Sequence, residues 1–123
     1  MTRPRLAVVE DNPDNRLLLS ALLEEAYELD EYVDGPEALA GIPARPPALV
    51  LLDISLPGME GPEVLRRLRA DPALAAIPVI ALTAHAMAGD RERYLGLGFD
   101  SYVTKPIVDE SLLFTAIQEL LDR

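Results

Sequence analysis

Pro46-Pro47-Ala48-Leu49-Val50-Leu51-Leu52-Asp53 decides the architecture. The apolar run is short, bounded by prolines on one side and a carboxylate on the other, and offers no polar position for a solvated face. It reads as a strand covered on both faces, as strands of a parallel sheet are. Similar runs recur on either side. Leu6-Ala7-Val8-Val9 ends in Glu10-Asp11, and Pro78-Val79-Ile80-Ala81-Leu82 ends in Thr83. Two weaker strands are expected. One covers Leu29–Val33, whose Glu and Asp content suits a sheet edge. The other covers Asp100–Thr104 and leads into Lys105-Pro106.

Segments of helical character separate these strands. Pro13–Ala26 starts with Asn12 as cap, Pro13 at a position that tolerates proline, and Asp14 against the helix dipole. Asp34-Gly35 is a turn. It opens a short helix, Pro36–Gly41, which Pro43 is expected to stop. Gly61–Ala70 turns Val64, Leu65 and Leu68 inward. Met87–Leu97 is a fourth helix, ended by Gly98. A fifth, capped by Asp109, carries Leu113, Ala116, Ile117 and Leu120 on one stripe. Five strand–helix units in series predict an α/β fold, a doubly wound five-stranded parallel sheet with five helices. No linker, repeat or low-complexity tract interrupts it. Residues 1–123 are expected to be one domain, with no output domain after the last helix.

Composition narrows the function. A chain of 123 residues with 50% hydrophobic content fits a single core. The net charge of −10 repels phosphate backbones and anionic lipid, so neither nucleic-acid nor membrane binding is expected. The absence of cysteine excludes disulfides, thiolate catalysis and cysteine metal sites. No apolar run approaches the roughly 20 residues that span a bilayer. The N-terminus lacks a signal-peptide apolar region, and a cytoplasmic location is expected.

Glu10-Asp11, Asp53, Thr83 and Lys105 all fall at the carboxyl ends of predicted strands, the edge where open α/β sheets build their sites. If the first and third strands are neighbours, which requires the order 2-1-3-4-5, three carboxylates converge. Such a cluster is tolerable at neutral pH with a cation among its members or with one of them protonated. All-oxygen ligands point to a hard ion such as Mg2+, with Mn2+ as an alternative. Lys105 adds a positive charge and Thr83 a hydroxyl. Together they describe a phosphoryl pocket. Asp53 is the nucleophile, and the ion lies on Asp11 and Asp53 with help from Glu10 through water. Lys105 and Thr83 bind phosphoryl oxygens. Each residue also has an ordinary reading: a solvated turn at Glu10-Asp11, a loop cap at Asp53, a helix cap at Thr83, a surface lysine at Lys105. Their common position at strand ends favours the site.

The motifs that carry this pattern are Val8-Val9-Glu10-Asp11-Asn12, Leu51-Leu52-Asp53-Ile54, Pro57-Gly58-Met59-Glu60-Gly61, Pro78-Val79-Ile80-Ala81-Leu82-Thr83-Ala84 and Tyr102-Val103-Thr104-Lys105-Pro106. In that order they resemble the receiver domain of two-component response regulators, the flavodoxin-like fold of the chemotaxis receiver. The resemblance covers essentially the whole chain. It is nearest to receivers of hybrid kinases and stand-alone phosphorelay regulators. It implies a phosphohistidine donor on a histidine kinase or phosphotransfer protein, and the Ser55 backbone carbonyl as a further metal ligand. It implies a cis bond before Pro106 and a switch made of Thr83 and Tyr102. The switch would alter the face of helix four, strand five and helix five, where a downstream protein partner would bind. Side chains at Ser55 and His85 would tune the lifetime of the phosphoryl group. The chain would then be no enzyme but a phosphoacceptor switch that assists its own phosphorylation and dephosphorylation. Departures from the family are Tyr27-Glu28, where many relatives have glycine, and the shortened second helix.

Two other classes fit less well. A haloacid-dehalogenase-type phosphatase needs a second aspartate two residues after the nucleophile, and Ser55 stands there. A nucleotide-binding domain needs glycines in the first strand–helix turn, where Glu10-Asp11-Asn12-Pro13 stands.

Overall fold

The computed structural model describes residues 3–84, 89–105, 107 and 110–122. Strand β1 (Arg5–Val9) is followed by α1 (Pro13–Leu23), β2 (Glu28–Tyr32), α2 (Gly35–Ala44) and β3 (Leu49–Asp53). Then come α3 (Gly61–Ala70), β4 (Val79–Thr83), α4 (Asp90–Leu97), β5 (Ser101–Thr104) and α5 (Glu110–Leu121). All pairings are parallel and the strand order is β2-β1-β3-β4-β5, as anticipated. The polar strand β2 does lie at an edge.

Alternation along each strand divides the core. Ala7, Val9, Val50, Leu52, Val79 and Ala81 pack on the face that also buries Ala38, Ile42, Val64, Leu65, Leu68 and Tyr94 from α2, α3 and α4. Leu6, Val8, Leu49, Leu51, Ile80 and Leu82 face the other way, onto Leu19 and Leu23 of α1 and Leu113, Ile117 and Leu120 of α5. Right-handed crossovers require this division. The chain leaves β1 in one direction to form β2 and returns past it to form β3, so α1 and α2 fall on opposite faces. Every residue of β3 and β4 is buried, which is why those two strands read as unbroken apolar runs.

The expected helix boundaries need correction in places. Helix α1 ends at Leu23 rather than Ala26, because the Ala26 and Tyr27 amides turn back to the Leu23 carbonyl. Helix α2 does not stop before Pro43 but runs through it to Ala44. In the final turn a proline costs one hydrogen bond and little else, and the Arg45 amide closes the end on the Gly41 carbonyl. The Asn12 cap holds, accepting from the Asp14 and Asn15 amides at 2.8 and 3.2 Å. Asp34 caps α2 through the Glu37 amide. Met87, Pro106 and Asp109 lie outside the described residues.

Candidate functional site

The register sets the site. Val9 pairs with Leu52, Asp53 with Leu82 and Thr83 with Thr104, so Glu10, Asp53, Thr83 and Lys105 emerge side by side. The Lys105 amide donates to the Thr83 carbonyl at 2.7 Å, which carries the β4–β5 pairing one residue further. Among the described residues, the buried polar or charged ones are Glu10, Asp53 and Thr83. Polar groups are withdrawn from water only at a steep cost, so their gathering at one edge marks a built site rather than ordinary surface.

Lys105 ties the cluster together. Its ammonium donates to Asp53 Oδ2 at 2.9 Å and to Glu10 Oε1 at 3.1 Å. Burial disfavours its charge, but the bonds to Asp53 and Glu10 outweigh that and hold its pKa above the ordinary lysine value. Asp53 Oδ1 accepts from the Ser55 amide at 3.0 Å, so the loop after β3 orients the carboxylate. Glu10 is held by Asn15 Nδ2 at 3.1 Å and by the Asn12 amide at 3.3 Å. Arg16 Nη1 donates to the Glu10 and Asp11 carbonyls at 2.8 and 3.1 Å, which fixes the loop that presents them.

Glu10, Asp11 and Asp53 each offer a carboxylate oxygen, all within 4.8 Å of one another. Counted formally, three carboxylates against one ammonium leave an excess of two negative charges, two of the carboxylates being buried and Asp11 exposed to the solvent side. Oxygen donors with a residual charge of that size suit a hard divalent cation.

Gly61 governs the geometry from behind. A Cβ there would lie 2.5 Å from the Asp53 carbonyl oxygen and 2.9 Å from Ile54 Cα, so only glycine lets α3 begin this close to β3. Gly58, at φ +74°, supplies the left-handed turn of the same loop.

The structure thus brings together Glu10, Asp11, Asp53 and Lys105, with the Ser55 backbone beside them. Thr83 lies on the same edge, but its hydroxyl is 3.0 Å from the hydroxyl of Tyr94, on α4. Tyr102 is half-buried, its ring 5.9 Å from that of Tyr94. Pro106 and His85 fall outside the described residues, so the cis bond and the tuning role of His85 have no structural counterpart here. Sequence reasoning missed Tyr94 and Asn15. Asn15 stands five residues after the carboxylate it holds, and Tyr94 belongs to a helix without a regular apolar stripe.

Residues 6–118 match the family profile of the response regulator receiver domain. The chain belongs to the response regulator receiver family. Over 117 residues this receiver is 42% identical to the response regulator PleD of Caulobacter vibrioides, covering 94% of the chain and 26% of that protein. Over 113 residues it is 41% identical to the sensor histidine kinase GacS of Pseudomonas protegens, covering 89% and 12% respectively. The receiver therefore spans a minor part of the length of these relatives. Among solved structures it is similar to the receiver domain of a sensor histidine kinase from Pseudomonas aeruginosa, at TM-score 0.89 and 31% identity over 99% of this chain and all of that one. That crystal structure has a magnesium ion coordinated in its active site cleft. As a receiver the chain is of the two-component and phosphorelay type, in which phosphoacceptor domains work with histidine kinases or phosphotransfer proteins. No helix among the described residues is long and apolar enough to cross a membrane.

Proposed function

We propose that this receiver is a metal-dependent switch whose phosphoacceptor is Asp53, supplied by phosphohistidine on a histidine kinase or phosphotransfer protein. The observation that carries the reading is the Lys105 ammonium bridging Asp53 and Glu10 within a cluster of three carboxylates whose oxygens lie within 4.8 Å of one another. In the transfer, an Asp53 carboxylate oxygen bonds to phosphorus while the phosphorus–nitrogen bond of phosphohistidine breaks. The imidazole keeps that electron pair and takes up a proton.

Each side chain has a part. The Ser55 amide orients Asp53 through Oδ1. Lys105, already within hydrogen-bond distance of Asp53, shifts its contact to a phosphoryl oxygen and holds the charge transferred there. Asp11, Asp53 and the Ser55 backbone carbonyl would hold Mg2+ (or Mn2+), with Glu10 assisting through water. When bound, the ion neutralises charge on the transferring group. Thr83 would bring its hydroxyl to the phosphoryl group and Tyr102 would turn inward, altering the face formed by α4, β5 and α5 for a protein partner. Ser55 and His85 would set how fast water removes the phosphoryl group, the receiver assisting its own dephosphorylation. A cytoplasmic location is part of the same reading.

The test is incubation of wild type and Asp53→Asn with acetyl phosphate, with and without Mg2+, followed by intact mass. A gain of one phosphoryl group by wild type alone, and only with Mg2+, is expected. A gain by both proteins, or by neither, contradicts the assignment.

A further inference from the structure

We propose that Tyr94 is a latch on Thr83. In the unphosphorylated receiver its buried hydroxyl engages the Thr83 hydroxyl, and α4 is released when a phosphoryl group takes that hydroxyl over. The proposal rests on the reading of Asp53 as phosphoacceptor, and it gives Tyr94 a role otherwise expected of Tyr102.

The two hydroxyls are 3.0 Å apart, Thr83 at the end of β4 and Tyr94 at the fifth of the eight residues of α4. Both residues are almost wholly removed from solvent, at 1% and 2% exposure. A buried hydroxyl needs a partner, so this bond is one that α4 cannot lose without rearranging. The Tyr94 ring is held on several sides. Phe99 meets it edge-on at 6.2 Å, Tyr102 lies tilted at 5.9 Å, and the Arg93 guanidinium sits 5.6 Å from its centroid. Tyr94 therefore touches Thr83 with its hydroxyl and Tyr102 with its ring.

Either hydroxyl can be the donor in this pair, so it is displacement of the Thr83 hydroxyl towards a phosphoryl oxygen that breaks the contact. Once Thr83 moves, the 3.0 Å contact is given up and the Tyr94 hydroxyl is left buried without that partner. Helix α4 must then shift to satisfy it, and Tyr102, packed on the same ring, follows. Linkage makes the effect reciprocal: weakening the latch strengthens binding of the phosphoryl group.

Tyr94→Phe removes one oxygen and keeps the ring. The probe is beryllofluoride with Mg2+, titrated calorimetrically into the full chain. The variant is expected to bind it more tightly by on the order of fivefold, the net worth of one neutral hydrogen bond. In a Thr83→Ala background the same substitution should leave affinity unchanged, whereas a general loosening of α4 would act in both backgrounds. Unchanged or weaker binding by Tyr94→Phe, or an equal gain without Thr83, overturns the latch. The wild type provides a second reading. During the titration the Tyr94 ring resonances should shift in step with those of Tyr102, and a shift of Tyr102 with Tyr94 unmoved overturns the proposal. Absence of beryllofluoride binding by wild type overturns the phosphoacceptor reading itself, and the latch with it.

Discussion

The two ends of the sheet handle charge in opposite ways. At the amino end, Arg69 donates to the carbonyls of Ala75, Ile77 and Gly98 and to Asp100 Oδ2, which in turn accepts from the Val79 amide at 2.8 Å. One cation meets one anion, and their bonds bind α3, the end of α4 and the starts of β4 and β5 into one unit. At the carboxyl end, one ammonium, bonded to Glu10 and Asp53, stands against three carboxylates whose oxygens lie within 4.8 Å of one another. The groups are of the same kind, but the first set is balanced and the second is not. Balance serves stability. Imbalance costs stability and makes the edge receptive to cations, as sites kept for function commonly are.

Several substitutions can break or sharpen that contrast. The largest expected effect is at the balanced end. Arg69→Ala removes the guanidinium from the Asp100 carboxylate and from three carbonyls, and should cost about 2–4 kcal/mol in urea unfolding. The deficit relative to wild type should be the same with and without saturating Mg2+; a smaller deficit with Mg2+ would mean that the two ends are coupled. Gly61→Ala comes next, because its Cβ must displace the Asp53–Ile54 backbone. A loss of about 2 kcal/mol is expected, together with slower phosphorylation by acetyl phosphate. At the unbalanced end, Asp53→Asn removes one repelling charge and leaves Lys105 paired with Glu10. In metal-free buffer it should gain stability by about 1 kcal/mol and lose the extra stability that Mg2+ gives wild type. A loss of stability in metal-free buffer would count against a strained site.

The smallest effect lies away from both ends, on the exposed face of α3. Arg66 and Arg67 donate to the Glu63 carboxylate and lower its pKa from 4.5 to about 2. A depressed carboxyl contributes stability above its ordinary pKa and loses it as pH falls towards about 2. The Glu63 carboxyl carbon resonance should titrate in that acid range, and Arg66→Gln should move the midpoint back up, with scarcely any change in unfolding at neutral pH.

Which features were legible in the sequence follows the same physics. Strands β3 and β4 are buried on both faces, so their apolar runs ending in Asp53 and Thr83 identify both the element and the edge. Glu10, Asp11 and Lys105 could be placed because each closes a strand. Helix ends were less legible. Pro43 has the power to stop a helix, but in a final turn that power has little left to act on. The end of α1 depends on where Tyr27 returns to the core. Tyr94 was invisible because its partner is on another element and α4 carries no apolar stripe that would mark a buried position. Asn15 was hidden likewise, since five residues along a helix is not a spacing that announces a contact with the preceding strand.

The central claim is that one particular carboxylate among three carries the phosphoryl group. It is tested most directly by borohydride reduction after treatment with acetyl phosphate and Mg2+, followed by peptide mapping. Borohydride converts an acyl phosphate to the corresponding alcohol and leaves free carboxylates intact. The account predicts the alcohol at position 53 and unmodified side chains at Glu10 and Asp11. The alcohol at either of those residues, or at none, would contradict it.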